Sequence, residues 1–181
     1  MNHTPLTAAI RYYRDIQAAI KSYPASLELD PALIVAMIWQ ESSGNPWSYN
    51  PEPRYRWFWN VKNDSPFRKV ADEEIASKTP PKDFPCLAGD PDQEWWAQQA
   101  SWGLMQVMGA AAREEHFRGT FLTELSDPYV NLEFGIKHWW CYACQFGNRN
   151  KHDALQRYNG GGDPEYADHV LEKVPAVLAA L

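Results

Sequence analysis

The sequence predicts a mainly α-helical domain that carries a long, irregular, aromatic-rich insertion at about residues 51–97. Three observations predict it. Apolar residues recur at helical spacing on both sides of the middle third, in runs bounded by capping residues, Pro or Gly. Between about Asn45 and Pro91, Pro, Trp, Tyr, Arg and Asp mix without a long period. That stretch is too long for an ordinary connection and too aromatic for disorder. The length of 181 residues suits one domain, or one domain with a large insertion.

The elements follow in order. Thr4 caps a first helix with Pro5 in its first turn. Leu6, Ile10, Tyr13, Ile16 and Ile20 hold helical spacing to about Tyr23, and Pro24 ends it. Asp30 caps a second helix, Pro31 opens it, and Ser43-Gly44-Asn45-Pro46 stops it. Within the insertion, Arg54 to Trp59 reads as a short strand or an irregular aromatic hook, and Phe67 to Lys78 holds a short helix. Thr79 to Pro85 is loop. A helix beginning near Ser101 or Gly103 is expected to run to about His116, followed by a short turn over Phe121 to Leu125. Asp127 caps and Pro128 starts a long central helix to Phe146, stopped by Gly147. A short helix around Asp153 to Tyr158 ends at Asn159-Gly160-Gly161-Gly162, and Asp163-Pro164 start the last helix, which Pro175 kinks or divides.

The chemistry of the chain centres on the second helix. Leu33, Met37 and Glu41 are spaced i, i+4, i+8, so Glu41 falls on the face that seeks the core. Desolvation there penalises a charged carboxylate, and so does the partial negative charge at a helix C-terminus. Glu41 is therefore expected to stay protonated near neutral pH, the property of a general acid. The competing readings are a surface Glu at a helix end and a buried Glu paired with Arg.

Composition narrows the partners. The net charge of −6 argues against nucleic acid. No run of 18 apolar residues is present, so no membrane span is expected. Met1-Asn2-His3-Thr4-Pro5 lacks a basic region followed by an apolar core, so no signal peptide is expected and action outside the cytoplasm needs another delivery route. The odd set Cys86, Cys141 and Cys144 is no disulfide framework. Cys141 and Cys144 have C-x-x-C spacing inside a helical pattern, without a second pair or close His. Reduced, buried thiols are the expectation, with no metal and no cofactor. Nine Trp are enough to line a groove for sugars or peptides, or to build an aromatic core.

Four short matches occur in order: Glu41-Ser42 after an apolar helix, Gly103-Leu104-Met105-Gln106-Val107, Tyr158-Asn159-Gly160-Gly161, and Tyr166 in the closing helix. Together they resemble the lytic transglycosylase family of the goose-type lysozyme superfamily, the soluble lytic transglycosylase catalytic domain of glycoside hydrolase family 23. Asp127-Pro128, Asn131-Leu132 and Gly135 add to it. The resemblance covers about residues 28 to 50 and 98 to 172. It implies a single lysozyme-like domain acting on peptidoglycan glycan strands in the cell wall; a monomer is expected.

It also implies non-hydrolytic cleavage of the β-1,4 bond between N-acetylmuramic acid and N-acetylglucosamine, giving 1,6-anhydro-muramyl products. One Glu acts first as acid and then as base, and Glu41 matches it. Ser42, Met105, Gln106, Tyr158, Asn159 and Tyr166 match positions lining the family's sugar groove. On this resemblance Tyr158 orients the carboxyl or the muramyl N-acetyl group. Gln106 and Asn159 bond acetamido and hydroxyl groups, and Met105 packs on a sugar face. Each also has a structural reading: Met105 as core, Asn159 as a left-handed helix end, Tyr166 as a tether of the last helix.

Two departures stand out. Arg157 replaces the usual small residue before Tyr-Asn, and Gly103 lies 62 positions after Glu41, far more than the family pattern. The insertion brings Trp57, Trp59, Trp95 and Trp96, which either wall the groove, recognise stem peptides or pack on themselves. It also brings the carboxylates Glu52, Asp64, Asp72, Asp90, Asp92 and Glu94. A hydrolase would need one of these opposite Glu41, so a muramidase on the same fold is one alternative and a non-catalytic wall-binding protein another. Delivery as a phage endolysin, as a virion-associated lysin or with a bacterial secretion system stays open.

Overall fold

The computed structural model describes residues 4–24, 29–87, 89–146 and 150–181. In chain order the elements are α1 (Pro5–Ile10), α2 (Tyr13–Ile20), α3 (Pro31–Ser42), β1 (Tyr49–Pro51), β2 (Trp59–Asn60), β3 (Ser65–Pro66), α4 (Asp72–Ala76), α5 (Pro91–Gln98), β4 (Ala100–Trp102), β5 (Val107–Met108), α6 (Gly109–Glu114), a 3-10 turn (Leu122–Ser126), α7 (Pro128–Phe146), α8 (Lys151–Tyr158) and α9 (Tyr166–Ala180). The fold is mainly α, as predicted. Its contacts form two compact units, Met1–Pro46 with Gly135–Leu181, and Trp47–Phe134, and the boundary falls inside α7.

The first unit is built on α3. The Asp30 carboxylate accepts the Ala32 N–H at 2.9 Å and Pro31 fills the first turn, so the helix starts where its caps require. Residues 32–38 are all buried. The apolar stripe expected from the i, i+4 spacing is therefore a helix covered on every side, because α1, α2 and α9 pack around it. Ser43 ends it in the left-handed region at φ 54°, donating its N–H to Trp39 O at 3.2 Å.

The single first helix expected to about Tyr23 is two, α1 and α2, broken at Arg11 and Tyr12. The break lies against the turn after α3. Arg11 Nη2 donates to the Tyr12 hydroxyl at 2.6 Å and to Gly44 O at 3.2 Å. Gly44 has φ +76°, and a Cβ there would lie 2.5 Å from Ala8 C and 2.6 Å from Ala9 N. Only Gly permits this approach. Gly44→Ala is expected to destabilise the protein by about 2–4 kcal/mol through left-handed strain and overpacking, read as a lower urea midpoint.

α7 keeps its predicted bounds, with Asp127 Oδ1 accepting the N–H groups of Tyr129 at 2.9 Å and Val130 at 3.2 Å. The stop expected at Gly147 lies outside the described residues. Cys86 is buried, but Cys141 and Cys144 are exposed, which corrects the expectation of buried thiols there. α8 packs on α9, and α9 runs through Pro175 to Ala180 rather than dividing.

The second unit holds a three-stranded antiparallel sheet in the order β1-β4-β5, with Tyr49 opposite Trp102 and Ser101 opposite Met108. β2 and β3 form a separate hairpin. The aromatic stretch has its own core of Phe58, Val70, Ile75, Phe84 and Trp95, with Phe58 stacked on Trp95 at 4.1 Å. The helix expected from Ser101 or Gly103 is corrected: the chain forms β4 and β5 around a turn, and helix begins only at Gly109. Gly103 at φ 69° and Gln106 at φ 48° hold left-handed backbone that a helix cannot contain. Asn131 closes this turn from α7. Its Oδ1 accepts the Met105 N–H at 2.8 Å, and its Nδ2 donates to Trp102 O at 2.7 Å and Leu125 O at 2.9 Å.

Candidate active site

Glu41 sits in the last turn of α3, half-buried, just before the left-handed Ser43. Tyr166 opens α9 and is 2% exposed. Because α9 packs on α3, the Tyr166 hydroxyl reaches Glu41 and donates to Oε1 at 2.6 Å. Burial, the Glu41 charge and the neighbouring Tyr158 phenol push the Tyr166 hydroxyl well above the ordinary tyrosine range. It therefore stays a neutral donor to the Glu41 carboxyl throughout the physiological range.

Tyr158 ends α8, half-buried, with its ring 5.5 Å from His138 and 6.4 Å from Trp139 on α7. Asn159 caps α8 in right-handed geometry, and its Nδ2 donates to Asp163 O at 3.3 Å. The left-handed residues are instead Gly160 and Gly161, so Asn159 is not there to tolerate a left-handed turn. Ser42 is buried, and its hydroxyl donates to Ile38 O at 3.1 Å. Glu41, Ser42, Tyr158, Asn159 and Tyr166 all belong to the first unit, and a direct bond joins Glu41 to Tyr166.

Met105 and Gln106 belong to the second unit. Met105 is fully buried, a core residue in this structure with no surface to offer a sugar. Gln106 is half-buried, and its Nε2 donates to Ser48 O at 3.2 Å and Gly103 O at 2.9 Å. These bonds commit its amide nitrogen to the turn.

The insertion's carboxylates have varied partners. Glu94 is buried in a bidentate pair with Arg113, Nε to Oε1 at 2.9 Å and Nη2 to Oε2 at 2.8 Å. Asp72 pairs with Arg56, and Asp64 pairs with Arg118. Asp90 caps α5. Asp92 lies exposed in the first turn of that helix, and Glu52 accepts the Ser101 hydroxyl at 2.9 Å. Of the four insertion Trp residues, Trp95 is core, Trp59 is half-buried, and Trp57 and Trp96 are exposed.

Sequence reasoning named Gly44 as part of a helix stop and Asn131 in the motif set without their supporting roles behind the α3 and Gly103 turns, and it missed Arg11 altogether. Asn131 carried a signal through its place in the ordered motif set. Arg11 looked like any exposed charge.

Tyr166→Phe frees the carboxyl from this bond while keeping the ring in place. The variant also carries a pH test. The phenol's pKa is raised on folding, so above pH 10 the unfolded chain loses a proton that the folded chain keeps. Stability from this group is full below pH 10 and falls as pH rises beyond it. Urea midpoints between about pH 8 and 11 are expected to fall more steeply for wild type than for Tyr166→Phe.

No curated protein and no solved structure matches the chain. A family model does, the Transglycosylase SLT domain, over residues 18–167. That match runs from α2 into the first turn of α9 and takes in both Glu41 and Tyr166. The chain belongs to the transglycosylase SLT family, the lytic transglycosylases of the lysozyme-like superfamily, which degrade peptidoglycan.

Proposed function

We propose that the protein cleaves the β-1,4 MurNAc–GlcNAc bond without water, with Glu41 as acid and then base. Glu41 gives its proton to the glycosidic oxygen as the bond from that oxygen to the muramyl C1 breaks. The resulting carboxylate takes the proton of the muramyl 6-hydroxyl, whose oxygen bonds to C1 and closes the 1,6-anhydro ring. The proton balance of Glu41 is zero over the cycle. Tyr166 positions the carboxyl, and Tyr158, Asn159, Ser42 and the Oε1 end of Gln106 are assigned to substrate. The observation that carries the reading is the 2.6 Å bond from buried Tyr166 to Glu41. It fixes one carboxyl at the end of an apolar helix, as a group with two successive proton transfers needs.

The hydrolytic alternative needs a second carboxylate to activate water. Glu94, Asp64 and Asp72 are engaged by arginines, which weakens their claim to that role. Mass spectrometry of digested peptidoglycan separates the two chemistries. Anhydro-muropeptides, one water lighter than reducing-end products, are expected. Reducing-end products would replace the proposal with a muramidase, and binding without turnover would favour a wall-binding protein.

A further inference from the structure

The second unit contains an open cavity of about 490 Å³, within the usual range of small-molecule sites of ~300–1,000 Å³. None of its lining residues belongs to the Glu41–Tyr166 pair. Five rings face it: Tyr55, Trp57, Phe58, Trp59 and Phe67. Its base is rigid. Phe58 is 3% exposed and stacks on Trp95. The Trp59 backbone is clamped by Gln98, which accepts the Trp59 N–H at 2.8 Å and donates to its carbonyl at 3.0 Å. Above that base, Trp57 is 74% exposed, held edge-on to Tyr55 at 5.7 Å between ring centroids. An exposed indole beside a preformed aromatic cavity is surface that no fold requirement explains.

The rim decides what class of ligand suits it. Arg56, Arg68 and Lys69 line the cavity, but so does Glu114, and the two arginines are already neutralised. Arg56 pairs with Asp72, and Arg68 bonds both Glu74 and Asp83 at 2.7–2.9 Å. Arg68 in turn holds the Glu74 carboxyl down to about 2. The rim therefore offers fixed polar groups without surplus positive charge, and an acidic peptide gains little there. A sugar ring suits it better, since its C–H faces pack on aromatic faces while its hydroxyl and acetamido groups meet the polar rim.

We propose that this cavity is a second glycan-binding site, taking an uncharged stretch of N-acetylated, β-1,4-linked amino sugar, with Trp57 as the stacking platform. The identity of the polymer rests on the peptidoglycan-cleaving reading above; the site itself rests on the cavity. The test uses the full chain carrying Glu41→Gln, with tetra-N-acetylchitotetraose as the probe, followed by NMR of indole and Arg side-chain N–H signals.

The Trp57, Trp59 and Arg68 signals are expected to shift on titration. Adding Trp57→Ala is expected to weaken that response roughly tenfold or more, as loss of an aromatic anchor does, while backbone shifts at Tyr158 and Asn159 persist. Shifts confined to α3, α8 and α9, or no shifts at all, would overturn the proposal. So would a cavity that responds to a free stem tetrapeptide and not to the sugar, which would make an acidic peptide its occupant. Muropeptide release by wild type is scored separately: cavity binding without turnover would sink the catalytic reading and leave this one standing.

Discussion

Glu41→Gln is expected to lower muropeptide release by about 10²–10⁴-fold while the protein stays folded. The substitution keeps the shape of the side chain and an oxygen for the Tyr166 hydroxyl, so the tie between α3 and α9 survives. What it removes is the proton. An amide can neither protonate the leaving oxygen nor take up the 6-hydroxyl proton, and in the proposed reaction both steps fall on Glu41. The loss is thus expected near the upper end of that range. An unchanged unfolding midpoint is the required control. Turnover within about tenfold of wild type would take Glu41 out of the acid role. The pair of variants is informative because they fail differently. Tyr166→Phe keeps the carboxyl and removes one of its bonds, so it is expected to slow the proposed reaction on the order of tenfold without stopping it.

The sequence made some of this architecture legible and hid the rest for physical reasons. Caps are local chemistry, so α3 and α7 have the bounds that Asp30-Pro31 and Asp127-Pro128 announce. Glu41 was legible as a carboxylate ending an apolar helix. Its partner was not legible from periodicity, because Tyr166 stands 125 residues away, and only the ordered motif set singled it out. Residues 98–108 show the limit of apolar pattern. Ala, Leu, Met and Val in close succession read as helix, yet the left-handed Gly103 and Gln106 and the distant clamp of Asn131 make it a strand pair. Met105 illustrates the same limit: nothing in Gly-Leu-Met-Gln-Val says whether Met105 faces a ligand or the core. Trp57, exposed, and Trp95, fully buried, were indistinguishable as letters.

Arg113→Met is expected to destabilise the second unit by about 3–5 kcal/mol, because it strands a buried charge. Arg113 is fully buried and Glu94 is 1% exposed. The guanidinium meets both Glu94 oxygens, and its Nη1 donates to Phe117 O at 3.0 Å and Gly119 O at 2.7 Å. Removing it leaves the carboxylate in the core beside the Gln98 amide, which donates at 2.9 Å, and leaves the Phe117 carbonyl buried and the Gly119 carbonyl half-buried, both short of a donor. Against a typical stability of ~5–15 kcal/mol this is a large fraction, worth a fall in Tm on the order of 10 °C.

The double variant Glu94→Gln with Arg113→Met is expected to recover much of the loss, since the stranded charge is gone while the bond to Gln98 can persist. Urea unfolding of the single and double variants checks this. Equal loss in both would show that the carbonyls or the lost packing, not the buried charge, set the cost. The consequence reaches the aromatic cavity, because Gln98 also holds the Trp59 backbone. Glu94, one of the insertion's candidate catalytic carboxylates, thus has its chemistry spent on architecture. It fixes the helix that fixes the cavity wall, and loosening it is expected to weaken chitotetraose binding there before the unit unfolds.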